Sequence, residues 1–140
     1  MNKTGSCLCG TARYEIDGDF EGFFLCHCGY CRKDTGSAHA ATLFSSTAKL
    51  KWMAGSEASK IFKLAGTRHS KSFCTECGSA LPLEDKELGH LAVPAGSLDS
   101  PIEIKPNAHI FMASKAEWDQ DLEGIPRVDT FPQMDKVDSD

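Results

Sequence analysis

Seven cysteines gathered in three short clusters constrain the fold of this 140-residue chain more than any other feature. The clusters are Cys7-Leu8-Cys9, Cys26-His27-Cys28-Gly29-Tyr30-Cys31 and Cys74-Thr75-Glu76-Cys77. An odd number of cysteines cannot pair completely within one chain, and these short spacings are typical of metal ligands. In a reducing compartment disulfides are disfavoured, so the clusters indicate bound metal.

The first and third clusters together form a set of four thiolates. Zn²⁺ prefers four ligands in a tetrahedron, and two thiolates on one short turn lose little entropy when they converge on it. Glycine follows both pairs, at Gly10 and Gly78, and lets the backbone turn tightly past a metal. Two separate redox-active or buried pairs are the alternative interpretation. We predict a structural zinc site with the ligands Cys7, Cys9, Cys74 and Cys77.

The middle cluster offers three thiolates within six residues, at Cys26, Cys28 and Cys31. Three protein ligands and one open position are the arrangement of catalytic zinc, whereas closed four-ligand sites are structural. An incoming thiolate would suit the open position because it is a softer ligand than water or a carboxylate. We therefore predict a second, catalytic zinc at this triplet, and a thiol as substrate.

The spacing of the triplet leaves two other interpretations open. A histidine could complete a closed structural site, or the three thiols could be reactive groups without metal. His27 is a poor local candidate, since the side chains of an extended Cys26–Cys28 stretch alternate in direction. The other candidates are His39, His69 and His90.

Short alternating segments broken by glycine-containing turns predict a mainly β fold of antiparallel sheets with few helical turns. The predicted strands are 11–16, 23–26, 38–44, 60–64, 70–73, 91–94 and 108–112. Capping patterns predict short helical turns at 114–117 and 100–103. The length fits a single zinc-binding domain over residues 1–132, and 133–140 reads as an acidic C-terminal tail.

Composition excludes several classes of protein. With 41% hydrophobic and 25% charged residues, the chain is typical of a soluble globular protein. It contains no apolar run of membrane-spanning length and starts without a signal peptide pattern, so we expect a cytoplasmic protein. The net charge is −5, and residues 115–140 carry eight acidic and three basic side chains. Such a chain lacks the basic surface needed for nucleic acids or anionic membranes, and we expect neither as a partner.

Four motifs together resemble one protein family. They are Gly5-Ser6-Cys7-Leu8-Cys9-Gly10, Cys26-His27-Cys28-Gly29-Tyr30-Cys31-Arg32-Lys33, Phe73-Cys74-Thr75-Glu76-Cys77-Gly78 and Ala108-His109-Ile110-Phe111. From about Gly5 to Pro132 the chain resembles the glutathione-dependent formaldehyde-activating enzymes, a family that includes centromere protein V-like proteins. All seven cysteine positions of the family pattern are filled. The resemblance implies a β-tent fold, which type B methionine sulfoxide reductases share.

The resemblance also implies an activity. The family is described as carbon–sulfur lyases, which add glutathione to formaldehyde reversibly and give S-hydroxymethylglutathione. It implies structural zinc at Cys7, Cys9, Cys74 and Cys77, and catalytic zinc at Cys26, Cys28 and Cys31. For the carboxylates of glutathione we expect Arg32 and Lys33 as binding residues, with Arg68 and His69 as weaker candidates.

Two other functions compete with the lyase. One is a non-catalytic zinc-binding interaction module whose second metal site is closed by histidine. The other is a redox enzyme like the type B reductases, which would need a reactive cysteine beyond the seven already assigned.

Overall fold

The computed structural model describes residues 2–132, which form eleven strands and one short α-helix. The strands are β1 (Asn2–Ser6), β2 (Arg13–Asp17), β3 (Gly22–Cys26), β4 (Ala40–Ser45), β5 (Lys49–Ala54), β6 (Ser59–Lys63), β7 (Ser70–Cys74), β8 (Ala80–Leu81), β9 (Leu83–Asp85), β10 (His90–Pro94) and β11 (Ala108–Ile110). The helix α1 (Gly29–Thr35) lies between β3 and β4. The predicted acidic tail at 133–140 lies outside the described residues.

The strands form three sheets, ordered β1-β2-β5, β11-β3-β4-β10-β9 and β6-β7-β8. All pairs are antiparallel except β11 with β3, which run parallel with Ile110 opposite Cys26. The predicted antiparallel sheets are confirmed in every other pair, and β11 returns to the edge of the central sheet after a long connection from β10. Within residues 2–132, no helix is long and apolar enough to cross a bilayer.

The central sheet has two faces with different roles. Phe23, Leu43 and Val93 stand in register across β3, β4 and β10 and belong to the buried hydrophobic cluster that also includes Tyr14 and Ile16 of β2. Because side chains alternate along a strand, the residues between them point to the opposite face. That opposite face begins at Cys26 of β3, which pairs with Ala40 of β4.

The seven strands predicted from the sequence all exist, each within two residues of the predicted bounds. The helical turns were less well predicted. A 3₁₀ turn lies at Met112–Ser114 instead of 114–117, and 100–103 contains no helix. The helix α1 was not predicted, because it has seven residues and none of them is buried, so it shows no apolar period.

Gly5 of β1 allows a close approach between two parts of the chain. Its Cα faces the Tyr14 ring, and a Cβ built on Gly5 would clash with that ring and lie 2.7 Å from the carbonyl oxygen of Ser97. The Tyr14 hydroxyl hydrogen-bonds to the Ser97 hydroxyl, and burial raises the pKa of Tyr14 to about 12. The Tyr14 phenol is therefore neutral where β1 and the turn after β10 meet.

We expect Gly5→Ala to lower the free energy of unfolding by about 1–3 kcal/mol, because the added methyl must displace a buried ring and a carbonyl. The matched control is Gly124→Ala, where a Cβ meets no atom within 4 Å. Urea denaturation followed by circular dichroism measures both. Equal stability of the two variants would contradict the role given to Gly5.

Candidate metal centres

The four-cysteine group is assembled from two turns that are distant in sequence. Cys7 and Cys9 lie on the turn between β1 and β2, whereas Cys74 ends β7 and Cys77 lies on the turn that follows it. The four sulfurs all lie within 4.8 Å of one another. The Cys7 and Cys9 sulfurs are 3.6 Å apart, close to the roughly 3.8 Å expected between two sulfurs of tetrahedral zinc. The donor set therefore fits zinc.

Each of these turns closes through a glycine in the left-handed region. Gly10 has φ 80° and Gly78 has φ 77°, conformations that glycine adopts without strain. The Gly10 N–H donates to the Cys7 carbonyl at 3.1 Å, and the Gly78 N–H donates to the Cys74 carbonyl at 2.7 Å. The two glycines noted in the sequence therefore close the two turns that present the sulfurs.

Ser79 connects the two turns beside the sulfurs. Its hydroxyl oxygen accepts the Leu8 N–H at 2.9 Å and lies 3.2 Å from the Cys77 sulfur. Hydrogen bonds from the Ser79 side chain and backbone, and from the Cys9 backbone, lower the pKa of Cys77 to about 6. Burial raises the pKa of Cys74 to about 11. The partly exposed Cys77 is thus the thiol of this pair that ionises more readily.

The triplet lies where β3 passes into α1. Cys26 ends β3, Cys28 is the N-cap of α1, and Cys31 lies in the first turn of the helix. Their three sulfurs lie within 4.8 Å of one another, and within residues 2–132 no histidine nitrogen or carboxylate joins them at that distance. The N-cap residue Cys28 and the nearby Cys26 and Cys31 thus bring three sulfurs together. Among the described residues, no fourth side chain completes the group.

The three triplet thiols differ in their backbone hydrogen bonds and in the direction of their pKa shifts. The Cys31 N–H donates to the Cys28 sulfur at 3.3 Å. Burial acts to raise the pKa of Cys28, but this N–H and the neighbouring thiols outweigh it, so its pKa is lowered. Burial raises the pKa of both Cys26 and Cys31. Cys28 is therefore the one triplet thiol whose pKa is lowered, and the backbone at the start of α1 contributes to this shift.

The histidine beside the triplet is engaged elsewhere. His27 is 1% exposed, and its Nε2 lies 2.9 Å from His109 Nδ1. Its Nδ1 lies 3.3 Å from the Asp119 carboxylate, and burial followed by the neighbouring His39 lowers its pKa. His27 thus points away from Cys26 and Cys28, as expected for an extended stretch, and ties the C-terminal segment to β3.

The predicted glutathione-binding residues lie on and beside α1. Arg32 donates through Nη1 to the Ser114 carbonyl at 3.0 Å, whereas Lys33 is exposed. His69 bonds to the Asp34 carboxylate at 2.8 Å, and Lys71 lies 2.9 Å from the same carboxylate. The sequence did not predict the ion pair between Asp34 and Lys71. The partners of Asp34 are distant in the sequence, and only the fold brings them beside α1.

A cavity of about 460 Å³ opens beside the triplet. Cys31 lines one end of it, between the β4–β10 part of the central sheet and strands β7 and β8. A second depression of about 540 Å³ lies beside Cys7, but no triplet residue lines it. The cavity at Cys31 is therefore the space in which a ligand of the triplet would lie.

Comparison with known proteins agrees with the cysteine pattern. A family model described as "Glutathione-dependent formaldehyde-activating enzyme" matches residues 2–114. The chain belongs to this family. The match spans all seven cysteines and ends before residues 115–132, to which the sequence resemblance extended.

One solved structure is similar in fold to this family member. It is a crystal structure of a Rhodobacter sphaeroides protein from a structural genomics programme, with a TM-score of 0.53 and 23% identity. The match covers 76% of this chain and 98% of that chain. A search of curated proteins finds no significant match. The structural likeness supports the fold, and the family match supports the two cysteine groups as metal sites.

Substitutions in the two cysteine groups are expected to differ in effect. Cys77→Ser should remove structural zinc and unfold the domain, because metal binding at such a site contributes folding free energy. Cys28→Ser should keep the fold and one zinc per chain. Elemental analysis with circular dichroism measures both properties. A folded Cys77→Ser protein that lacks the first zinc would refute this assignment.

Proposed function

We propose that this protein is a zinc-dependent carbon–sulfur lyase that acts on the adduct of a small thiol. Its reaction would be the reversible addition of glutathione to formaldehyde, giving S-hydroxymethylglutathione, in the cytoplasm, where glutathione keeps thiols reduced. The observation that carries the proposal is the triplet itself. Three sulfurs converge without a fourth side chain among residues 2–132, and Cys31 borders a cavity large enough for a ligand.

The donor chemistry of the triplet fits zinc with one exchangeable position. Zinc held by Cys26, Cys28 and Cys31 would supply a lowered pKa for an incoming thiol and a positive charge near the developing oxyanion. The chain supplies the positions of the ligands. The Cys31 N–H orients the Cys28 sulfur, and the Thr35 hydroxyl donates to the Cys31 carbonyl at 2.8 Å, so both ends of α1 hold the triplet loop in place.

The reaction needs no oxidant. The thiolate sulfur gives an electron pair to the carbonyl carbon, and a C–S bond forms. The π pair of the carbonyl moves to oxygen, which takes up the proton that the thiol released. The reverse reaction breaks the C–S bond and returns the pair to sulfur.

Cationic side chains of α1 are proposed to bind the carboxylates of glutathione. Lys33 is exposed on the helix that carries Cys31. Arg32 uses one of its five N–H donors on Ser114, so others remain for a carboxylate. Both residues therefore stand beside the triplet, outside the cavity wall.

The interaction module is the less well supported function. It needs a closed second metal site, but no histidine nitrogen among residues 2–132 lies within 4.8 Å of all three triplet sulfurs. His27 bonds to His109, His69 bonds to Asp34, and the His90 ring packs edge-on against Phe44.

The central test is Cys28→Ser in the zinc-loaded protein. We expect it to abolish the enzymatic rate of S-hydroxymethylglutathione formation, because the triplet would lose its most acidic thiol. Exchange NMR measures the rate above the uncatalysed reaction. Unchanged turnover by a folded Cys28→Ser protein would refute the proposed role of the triplet.

The proposed carboxylate contact predicts a separate effect for Lys33→Gln. Loss of one partly solvated ion pair should raise KM for glutathione about two- to fivefold and leave kcat unchanged. The matched control is Lys51→Gln, which removes an exposed lysine from β5, in another sheet. Steady-state kinetics at varied glutathione would show equal KM values for the two variants if Lys33 does not bind the substrate.

A further inference from the structure

The cavity beside Cys31 is many times larger than formaldehyde needs. Its volume is about 460 Å³, whereas a molecule of water takes up roughly 30 Å³ and formaldehyde has only one heavy atom more. Addition of formaldehyde to a thiol leaves just a hydroxymethyl group on the sulfur. Most of this space is therefore available to another part of the reacting molecules.

The floor of the cavity continues the face of the sheet on which the triplet lies. Cys26 pairs with Ala40, and the next side chains on that face of β4 are Thr42 and Phe44. Leu83 and Leu88 also line the cavity. A group attached to a sulfur at the triplet would thus extend along a mostly apolar surface.

The charged groups around the cavity are largely occupied by one another. The Asp34 carboxylate bonds to His69 and lies 2.9 Å from the Lys71 ammonium. One Asp85 oxygen accepts the backbone N–H groups of Glu87 and Leu88. Within residues 2–132, Arg68 is the one cation lining the cavity without a bonded carboxylate.

This charge pattern argues against glutathione itself as the occupant. Glutathione carries two carboxylates, and burying an ionised carboxylate without a partner is strongly unfavourable. One exposed guanidinium cannot match both. The charged body of the thiol is better placed outside, along Arg32 and Lys33, so the cavity is left for the other reactant.

We propose that the cavity binds an apolar substituent on the carbonyl partner, so that the preferred electrophile is an aldehyde carrying a hydrocarbon or aromatic group. This inference rests on the proposed function and specifies its second substrate. The sulfur attacks the aldehyde carbon and the C–S bond forms. The carbonyl π pair moves to the oxygen, which takes the thiol proton, giving a hemithioacetal, the S-(1-hydroxyalkyl) derivative of the thiol. Each methylene buried against Phe44, Leu83 and Leu88 favours binding about fourfold.

Binding of unreactive thioethers tests the cavity separately from catalysis. Titration calorimetry on the zinc-loaded protein compares S-hexylglutathione with S-methylglutathione. We expect the hexyl compound to bind at least tenfold more tightly. Equal Kd values for the two compounds would overturn the proposal.

A charge in the cavity lining should remove this preference. Leu88 lines the cavity and is 52% exposed, so Leu88→Asp adds a carboxylate to the lining at little risk to the fold. We expect the hexyl-to-methyl affinity ratio to fall about tenfold. The matched control is Met53→Asp, a 54% exposed residue on β5, outside the cavity lining, which should keep the wild-type ratio. A ratio unchanged by Leu88→Asp would also overturn the proposal.

Turnover distinguishes failure of this inference from failure of the proposed function. Exchange NMR with glutathione and either hexanal or formaldehyde should give a higher kcat/KM for hexanal in the wild type. Leu88→Asp should lower the hexanal value about tenfold more than the formaldehyde value. Catalysis of the formaldehyde reaction without any preference for hexanal would overturn the inference and leave the lyase standing. Absence of catalysis with both aldehydes would refute the lyase.

Discussion

The convergence of two cysteine turns on one point is the constraint on which the rest of the structure depends. The first turn joins β1 to β2, and the second joins β7 to β8, so a metal held by both fixes the β1-β2-β5 sheet against the β6-β7-β8 sheet. A chain of this size buries a limited core. Four metal–sulfur bonds at this group would add the stabilisation that holds short strands, some of only two or three residues, in one arrangement.

The two faces of the central sheet have different roles, one in stability and one at the candidate site. One face, with Phe23, Leu43 and Val93, belongs to the hydrophobic core. The other face carries Cys26 and the floor of the cavity. Alternation along β3 and β4 thus allows the same strands to stabilise the fold and to present a reactive group, without a loop that must order when a ligand binds.

The sequence predicted the two cysteine groups that the fold brings together, because the spacing within each cluster is local and thiolates are specific metal donors. Cys74 and Cys77 share one turn, and Gly78 marks its end, so no knowledge of packing was needed. The sequence did not predict α1. Its N-cap residue is Cys28, and cysteine is not among the residues preferred at helix N-caps. The cavity and the Asp34–Lys71 contact were not predictable, because they depend on how β7 packs beside α1.

The contacts of Asp34 couple the two cysteine groups, and they would set the order in which zinc leaves them. The Asp34 carboxylate on α1 contacts His69 and Lys71. Lys71 lies on β7, the strand that ends at Cys74. One short strand therefore connects the two centres, and it is anchored at the four-cysteine end. With zinc in both groups, loss of the four-cysteine zinc would release the end of β7, the strand that supports α1, whereas an emptied triplet would leave that end of β7 held.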